Sequence, residues 1–251
     1  MQILHRESSG QHEIIVYDTS EYGGERGRFR VLQFSNNAMQ GALDLDQPER
    51  ILFEYPQAMI HLMNSSNPSF QRVFIIGHGI GTIARHCTGK RFKVAELDGQ
   101  VVSLSRQYFG YSDDNVVVGD GRELLSCEDA HTYDFIVLDA FSDKDTPRHL
   151  TSRSFFELVV SKLDENGAVL INLMGKREND THINAIYTTL QEVFQSVQAF
   201  ALPAEGPSDR RNYILAGSNE SLPYQMRRMA GFMELELGQG YIIEDRQHWR
   251  G

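Results

Sequence analysis

Short runs of β-branched and aromatic residues recur along this chain, each ending in glycine or an acid and most followed by a helical spacing of apolar positions. The run Arg72-Val73-Phe74-Ile75-Ile76 breaks into Gly77-His78-Gly79-Ile80-Gly81, after which residues 82–86 read as a helix. Val94-Ala95-Glu96-Leu97-Asp98 comes next, then Val117-Val118-Gly119-Asp120-Gly121 with a helix over 122–126, then Asp134-Phe135-Ile136-Val137-Leu138-Asp139. Continuous apolar runs, rather than strict alternation, mark strands buried on both faces, which is the habit of a parallel sheet. Such sheets collect ligand groups at the carboxyl ends of their strands. The rhythm therefore predicts an α/β fold with a nucleotide-type site.

The pattern before residue 55 differs. Residues 13–18, 28–34, 38–43 and 51–54 read as short strands, joined by Gly23-Gly24, Asn36-Asn37 and Asp46-Gln47-Pro48. Asn-Asn between two strand-like runs supplies the positive φ angles of a tight hairpin. This divides the chain into an N-terminal β hairpin domain over 1–54 and a Rossmann-like domain over 55–251. Residues 55–63 turn helical with Met59, Ile60 and Met63 on one side, and 64–69 form a loop. Later come a helix over 152–163, a strand over 168–173 and a helix over 180–194. Strands over 196–202 and 212–216 are expected to pair antiparallel at the sheet edge, and a last helix over 222–235 precedes a polar tail carrying Trp249.

Length and charge narrow the functional classes. A chain of 251 residues holds one large α/β domain with a small appendage. No apolar run approaches the roughly 18 residues needed to cross a bilayer, and residues 1–12 are polar, so neither a membrane span nor a secretory signal is expected. Cys87 and Cys127 have no metal or redox spacing and read as free thiols in a reducing cytoplasm. A formal net charge of −10 argues against a nucleic-acid partner and tilts slightly toward cationic substrates. His61, His78, His86 and His149 lack a metal-binding spacing, so no metal is expected.

The strand-end residues carry the chemistry. Gly77, Gly79 and Gly81 have the strand-before, helix-after context of a dinucleotide turn, but Gly-x-Gly-x-Gly spacing counts against a pyrophosphate cradle. Glu96 is placed to accept hydrogen bonds from both hydroxyls of a ribose. Asp120 can take an adenine amino proton while Gly121 lets backbone approach the ring; Asp120 can equally N-cap the helix over 122–126, and the two roles are compatible. His78 either contacts a carboxylate at the methionyl end of a cofactor or is a turn residue. A ribose acid, a base-side acid and no phosphate loop favour an adenosyl ligand such as S-adenosylmethionine.

A small β domain followed by this sheet resembles the polyamine aminopropyltransferases, the spermidine synthase family, built on a class I methyltransferase-like Rossmann sheet with an antiparallel edge. The resemblance runs from about residue 11 to 216 and is closest to divergent bacterial members. It is carried by Met39-Gln40-Gly41-Ala42-Leu43-Asp44-Leu45, Glu54-Tyr55-Pro56, and Leu138-Asp139-Ala140-Phe141-Ser142 leading to Thr146-Pro147-Arg148-His149-Leu150. It implies that Glu96 binds the ribose, with Leu97 beside it, and that Asp120 and Gly121 flank the adenine. It further implies that Gly77, His78, Gly79 and Gln40 lie on the cofactor side. Tyr55 would stand beside the amine, with Asp139 taking a proton from the amine or orienting it. A primary amine must lose charge before its lone pair displaces a sulfonium, so an adjacent carboxylate helps, and holding the reactants in line supplies much of the rest. A homodimer is implied by the resemblance alone.

Departures from the family pattern are equally informative. Ile80 replaces the aspartate that would pair with the free amine of decarboxylated S-adenosylmethionine. Tyr55-Pro56-Gln57 lacks the following acid, Asp139-Ala140-Phe141-Ser142-Asp143 displaces the loop's second acid by one position, and the interval from Gln40 to Tyr55 is longer than usual. Each lost charge-assisted hydrogen bond costs on the order of 1.5–3 kcal/mol, so two lost acids weaken diamine binding about a hundredfold or more. The leading expectation is transfer of an aminopropyl-type group from decarboxylated S-adenosylmethionine or S-adenosylmethionine to a small-molecule amine acceptor. Methyl transfer from intact S-adenosylmethionine is the first alternative, favoured by Ile80. A catalytically idle nucleoside-binding or oligomerising module is the second.

Overall fold

Alternating apolar and polar residues at the start of the chain build an antiparallel meander, as the computed structural model of residues 1–9, 12–34, 39–140, 146–178, 180–204, 206 and 209–245 shows. It comprises β1 (Gln2–Ser9), β2 (His12–Tyr22), β3 (Glu25–Phe34) and β4 (Met39–Asp44), in that spatial order. Strand β1 was not expected from its polar composition; it forms because β2 supplies a full antiparallel partner, with Ile3 opposite Tyr17. Gly23 and Gly24, at φ 57° and 80°, make the β2–β3 turn, whose right-handed strand twist demands two such residues. The Asn36-Asn37 turn lies outside the described residues. The strand expected over 51–54 is reduced to a single bridge from Ile51 to Leu43, and helix α1 (Glu54–Ser66) begins at once.

The second sheet alternates strand and helix: β5 (Arg72–Ile76), α2 (Thr82–His86), β6 (Arg91–Glu96), α3 (Gly99–Phe109), β7 (Val116–Val118), α4 (Gly121–Ser126), β8 (Tyr133–Leu138), α5 (Arg153–Lys162), β9 (Leu163–Lys176), α6 (Thr181–Gln191), β10 (Ser196–Ala201), β11 (Arg210–Ser218) and β12 (Met233–Glu234). Its spatial order is β12-β10-β11-β9-β8-β5-β6-β7. Strands β7, β6, β5, β8 and β9 are joined by parallel ladders, and β11 pairs antiparallel with both β9 and β10. The order reverses between β5 and β8, so the crevice outside their carboxyl ends is where this architecture receives a ligand.

Both faces of the sheet are covered. Phe74, Ile76, Ile136 and Leu138 pack with Phe155, Phe156 and Ile186, while Val73, Ile75, Phe135 and Val137 face Met59, Leu62 and Met63 of α1. A third apolar cluster joins the two sheets: Ile14, Val16 and Leu32 meet Ile80, Val101, Leu104 and Phe109. No described helix is long and apolar enough to cross a membrane.

The helix expected over 222–235 does not form. Its place is taken by a 3₁₀ turn at Met226–Arg228 and by β12. Ala230 and Gly231 adopt positive φ of 49° and 90°, which stops a right-handed helix. Leu222, Met229 and Phe232 dock separately on the core, and their spacing imitates a helical face. The polar tail also packs back on the molecule as far as it is described: Ile243 is 1% exposed, and Arg122 grips Asp245 through two hydrogen bonds of 3.0 and 2.8 Å. Trp249 lies outside the described residues.

Candidate functional site

The reversal from β5 into α2 is made by Gly77, Gly79 and Gly81, at φ 100°, 54° and 78°. A Cβ on Gly77 would overlap the Asp139 carbonyl oxygen, so this glycine allows the ends of β5 and β8 to close on each other. A Cβ on Gly79 would sit 2.8 Å from the Gln40 carbonyl oxygen, so β4 can lie directly on the turn. These two approaches bring Gln40, Tyr55, Gly77, His78, Gly79 and Asp139 to the lining of one cleft. The space it encloses, about 20 Å³, is that of a single water. A far larger cavity of about 920 Å³ opens at the amino ends of β6 and β7, by Cys87, Lys90, Arg91 and Asn115. The convergent polar groups sit at the carboxyl edge, where open α/β sheets receive their ligands.

Asp139 has both carboxylate oxygens engaged. Tyr55 donates its hydroxyl to Oδ2 at 2.8 Å, and Asn172 Nδ2 donates to Oδ1 at 2.9 Å. Burial raises the Asp139 carboxyl above the usual aspartate range, and the two donors oppose that rise by favouring the ionised form. Burial first, then the neighbouring carboxylate, pushes the Tyr55 phenol well above its ordinary value, so it remains a donor. Each carboxylate oxygen keeps a lone pair for a further donor.

Glu96 ends β6 and ties the turn to the next loop. Its Oε2 accepts from the His78 backbone N–H at 2.8 Å and its Oε1 from the Asp98 N–H at 2.9 Å. Burial raises its pKa and the backbone donors partly restore it. The Leu97 backbone N–H acts on it as a further donor. Leu97, beside it, is 74% exposed, as is Val118 at 56% on the neighbouring strand end, giving an apolar shelf next to the acid.

Asp120 is the N-cap of α4. Its Oδ1 accepts from the backbone N–H groups of Arg122 and Glu123 at 2.9 and 3.0 Å, while Oδ2 lies 2.9 Å from His149 Nε2. A Cβ on Gly121 would overlap Ile76, so this glycine serves close helix–sheet packing. Glu96, Leu97, Asp120 and Gly121 stand along the same carboxyl edge but outside the lining of the cleft at Asp139.

His78 is buried in the turn that follows β5. Its ring is 8% exposed, sits 2.7 Å from Ser105 Oγ through Nε2, and meets Tyr111 edge-on at 4.6 Å between centroids. Burial, then Arg106 and Arg85, lower its pKa to about 4, so the ring is neutral and a poor match for a cofactor carboxylate. Ile80 is likewise turned inward: it is 4% exposed, and a Cβ on Gly41 would lie 2.6 Å from its side chain. The acid-bearing loop that follows Ala140, with Asp143 and Asp145, lies outside the described residues.

Sequence reasoning missed Asn172, Asn212 and the role of His149. Asn172 left a trace as the lone polar residue within the apolar run 168–173. Asn212, which donates to Asn172 Oδ1 at 3.1 Å, left none, because that contact depends on the β9–β11 register.

Residues 52–216 match the Spermine/spermidine synthase domain family. A spermidine synthase of Coffea arabica is 31% identical over 179 residues, 67% of this chain and 52% of that protein. Putrescine N-methyltransferase 2 of Nicotiana tabacum is 28% identical over 179 residues, 67% of this chain and 47% of that protein. The chain thus spans about half the length of the curated relatives it matches. Among solved structures, a probable spermidine synthase from Corynebacterium glutamicum ATCC 13032 superposes with a TM-score of 0.77 at 22% identity, over 88% of this chain and 82% of that one, and shares the fold. With the matched segment holding α1, the glycine turn, Glu96, Asp120 and Asp139, the chain belongs to the spermine/spermidine synthase family.

Proposed function

We propose that this protein is a transferase that moves an aminopropyl-type group from an adenosyl sulfonium donor, decarboxylated S-adenosylmethionine or S-adenosylmethionine, to a small amine. The observation that carries this reading is the Asp139 carboxylate, held by Tyr55 and Asn172 beside the glycine turn of β5. In the reaction the amine nitrogen forms a bond to the propyl carbon attached to sulfur, and the carbon–sulfur bond breaks. Its electron pair stays on sulfur, and methylthioadenosine leaves. Before this step the acceptor ammonium sheds a proton to free its lone pair, and the free lone pairs of Asp139 are the proton acceptor at hand; the secondary amine formed carries its own charge away as an ammonium.

The donor side rests on the carboxyl edge. Glu96 stands at the carboxyl end of β6 to accept from ribose hydroxyls, and the exposed Leu97 and Val118 offer an apolar face to a purine. Asp120 and Gly121 at the head of α4 complete the base side of this reading. Gln40 and the turn Gly77-His78-Gly79 would flank the sulfonium, with His78 contributing its backbone rather than its ring. Assembly as a homodimer belongs to the same proposal by family likeness. The free thiols Cys87 and Cys127 support a cytoplasmic setting.

Ile80 favours a second reading, methyl transfer from intact S-adenosylmethionine, because no acid stands there to repel the donor's carboxylate. Incubation with both donors and a mixture of amines, followed by mass spectrometry of the nucleoside product, separates the readings. Methylthioadenosine is expected. S-adenosylhomocysteine would establish methyl transfer instead, and nucleoside binding with neither product would leave a binding module.

A further inference from the structure

The Asp139 carboxylate is the end of a longer chain of contacts. Asn172 lies on β9 with its side chain 1% exposed, and its amide bridges two partners: Nδ2 donates to Asp139 Oδ1 at 2.9 Å and Oδ1 accepts from Asn212 Nδ2 at 3.1 Å. In the β9–β11 ladder Asn172 is opposite Ile214 and Asn212 is opposite Met174, so the two asparagines are diagonal neighbours on one face. An amide beside a carboxylate has two orientations. One presents a donor and stabilises the ion; the other presents oxygen and repels it. Nothing in Asn172 itself chooses between them. Asn212 does, because it offers an N–H to the oxygen end.

We infer that Asn212 is a positioning residue that acts through Asn172 to hold the Asp139 carboxylate ionised and aimed, with its remaining lone pairs directed to the acceptor amine. The reaction it serves is the transfer proposed above, and the inference rests on that reading of Asp139. Among the described residues, the titratable groups facing Asp139 are Tyr55 from α1, with Tyr22 from β2 acting on Tyr55 in turn, and His78 from the β5 turn, which stays neutral. Losing the Asn212 donor therefore changes one thing at Asp139: the end of the Asn172 amide that it meets.

Two variants test this. Asn212→Asp keeps the shape but replaces the donor by a charged acceptor, and Asn212→Ala removes the donor without adding a charge, so the Ala variant isolates the amide. The acid limb of the kcat/KM profile is expected to move up by about one pH unit in Asn212→Asp, a roughly tenfold loss of kcat/KM below the limb, and by less in Asn212→Ala. KM for the adenosyl donor is expected to stay within twofold in both. The Asp139 carboxyl is read directly by ¹³C NMR titration of labelled protein, with its resonance assigned from Asp139→Asn, and this measurement needs no turnover. A carboxyl that titrates at the same pH in wild type and both variants overturns the inference. A carboxyl that shifts as expected, in a protein that forms no transfer product with any amine, upholds the inference and removes the transferase reading instead. A donor KM that changes with kcat would make Asn212 a scaffold residue of the whole cleft, which also overturns it.

Discussion

Tyr55 and Asp139, 84 positions apart, meet through a 2.8 Å hydrogen bond in which the phenol donates to Oδ2. The contact joins the first turn of α1 to the end of β8, so the segment linking the two sheets takes part in the site. Tyr55→Phe removes this bond with almost no change in volume. A hydrogen bond to a charged group is worth about 1.5–3 kcal/mol, so kcat/KM is expected to fall roughly 10- to 100-fold. The Tyr55 donor lowers the Asp139 pKa; without it the carboxyl rises, and a reaction that needs the ionised form starts to fail at higher pH. An acid limb that stays in place in the pH–rate profile would show that Tyr55 does not act through Asp139. Asp139→Asn, in the same series, is expected to keep affinity for methylthioadenosine in calorimetry while losing turnover.

Ile80, where the family resemblance expects an acid, lines the cleft at Asp139 and packs in the apolar cluster with Leu32, Leu43 and Leu104. In Ile80→Asp a carboxylate would lie beneath Gly41 among aliphatic side chains, a placement that costs several kcal/mol unless the group protonates. The expected outcome in denaturant titration is a loss of about 3 kcal/mol or more, with no gain in affinity for the decarboxylated donor over the intact one. A stable Ile80→Asp protein that prefers the decarboxylated donor tenfold would place this side chain in the donor site after all. The parent protein is expected to bind the two donors with similar affinity in calorimetry.

The parallel sheet was legible because strands buried on both faces read as unbroken apolar runs, as in 72–76 and 134–138, and because helices between them kept a 3.6-residue spacing. The helix at Thr82–His86 coincides with its expected bounds, since the positive-φ Gly81 fixes where it starts. What failed was local or non-local in a specific way. The stretch 222–235 has apolar residues at helical spacing, but the left-handed Ala230-Gly231 pair prevents the helix, and only tertiary docking shows it. Asp120 was readable as a helix cap from its place before Gly121; its contact with His149 was not, because it depends on how the chain returns through the 3₁₀ turn at Arg148–Leu150. Gln40 was placed by family likeness, and the structure gives the physical reason for its proximity in the close approach of its carbonyl to Gly79. Asn172 and Asn212 show the limit most plainly: antiparallel register puts them in contact, and register is not a property of either strand alone.

His78 links the site to the stability of the molecule. Its ring is buried on Ser105 and Tyr111, with its pKa lowered to about 4 from the 6.5 expected in the unfolded chain. Between those values the unfolded state binds a proton that the folded state refuses. The contribution of His78 is therefore fully present above about pH 6.5 and is lost as pH falls toward 4, up to about 3 kcal/mol in all. The raised carboxyls of Glu96 and Asp139 act in the opposite direction over the acid range, so the bare stability curve mixes these effects. His78→Phe isolates the histidine: it keeps an aromatic edge against Tyr111, gives up the bond to Ser105, and cannot charge. At pH 7 the variant is expected to be less stable than the parent by about 1 kcal/mol, the net worth of one buried hydrogen bond. Denaturant titrations at pH 7, 5.5 and 4.5 are expected to show the gap closing and then reversing, because the parent alone pays for protonation. Parallel loss of stability in parent and variant across this range would mean that the His78 ring is free to take up its proton in the folded protein.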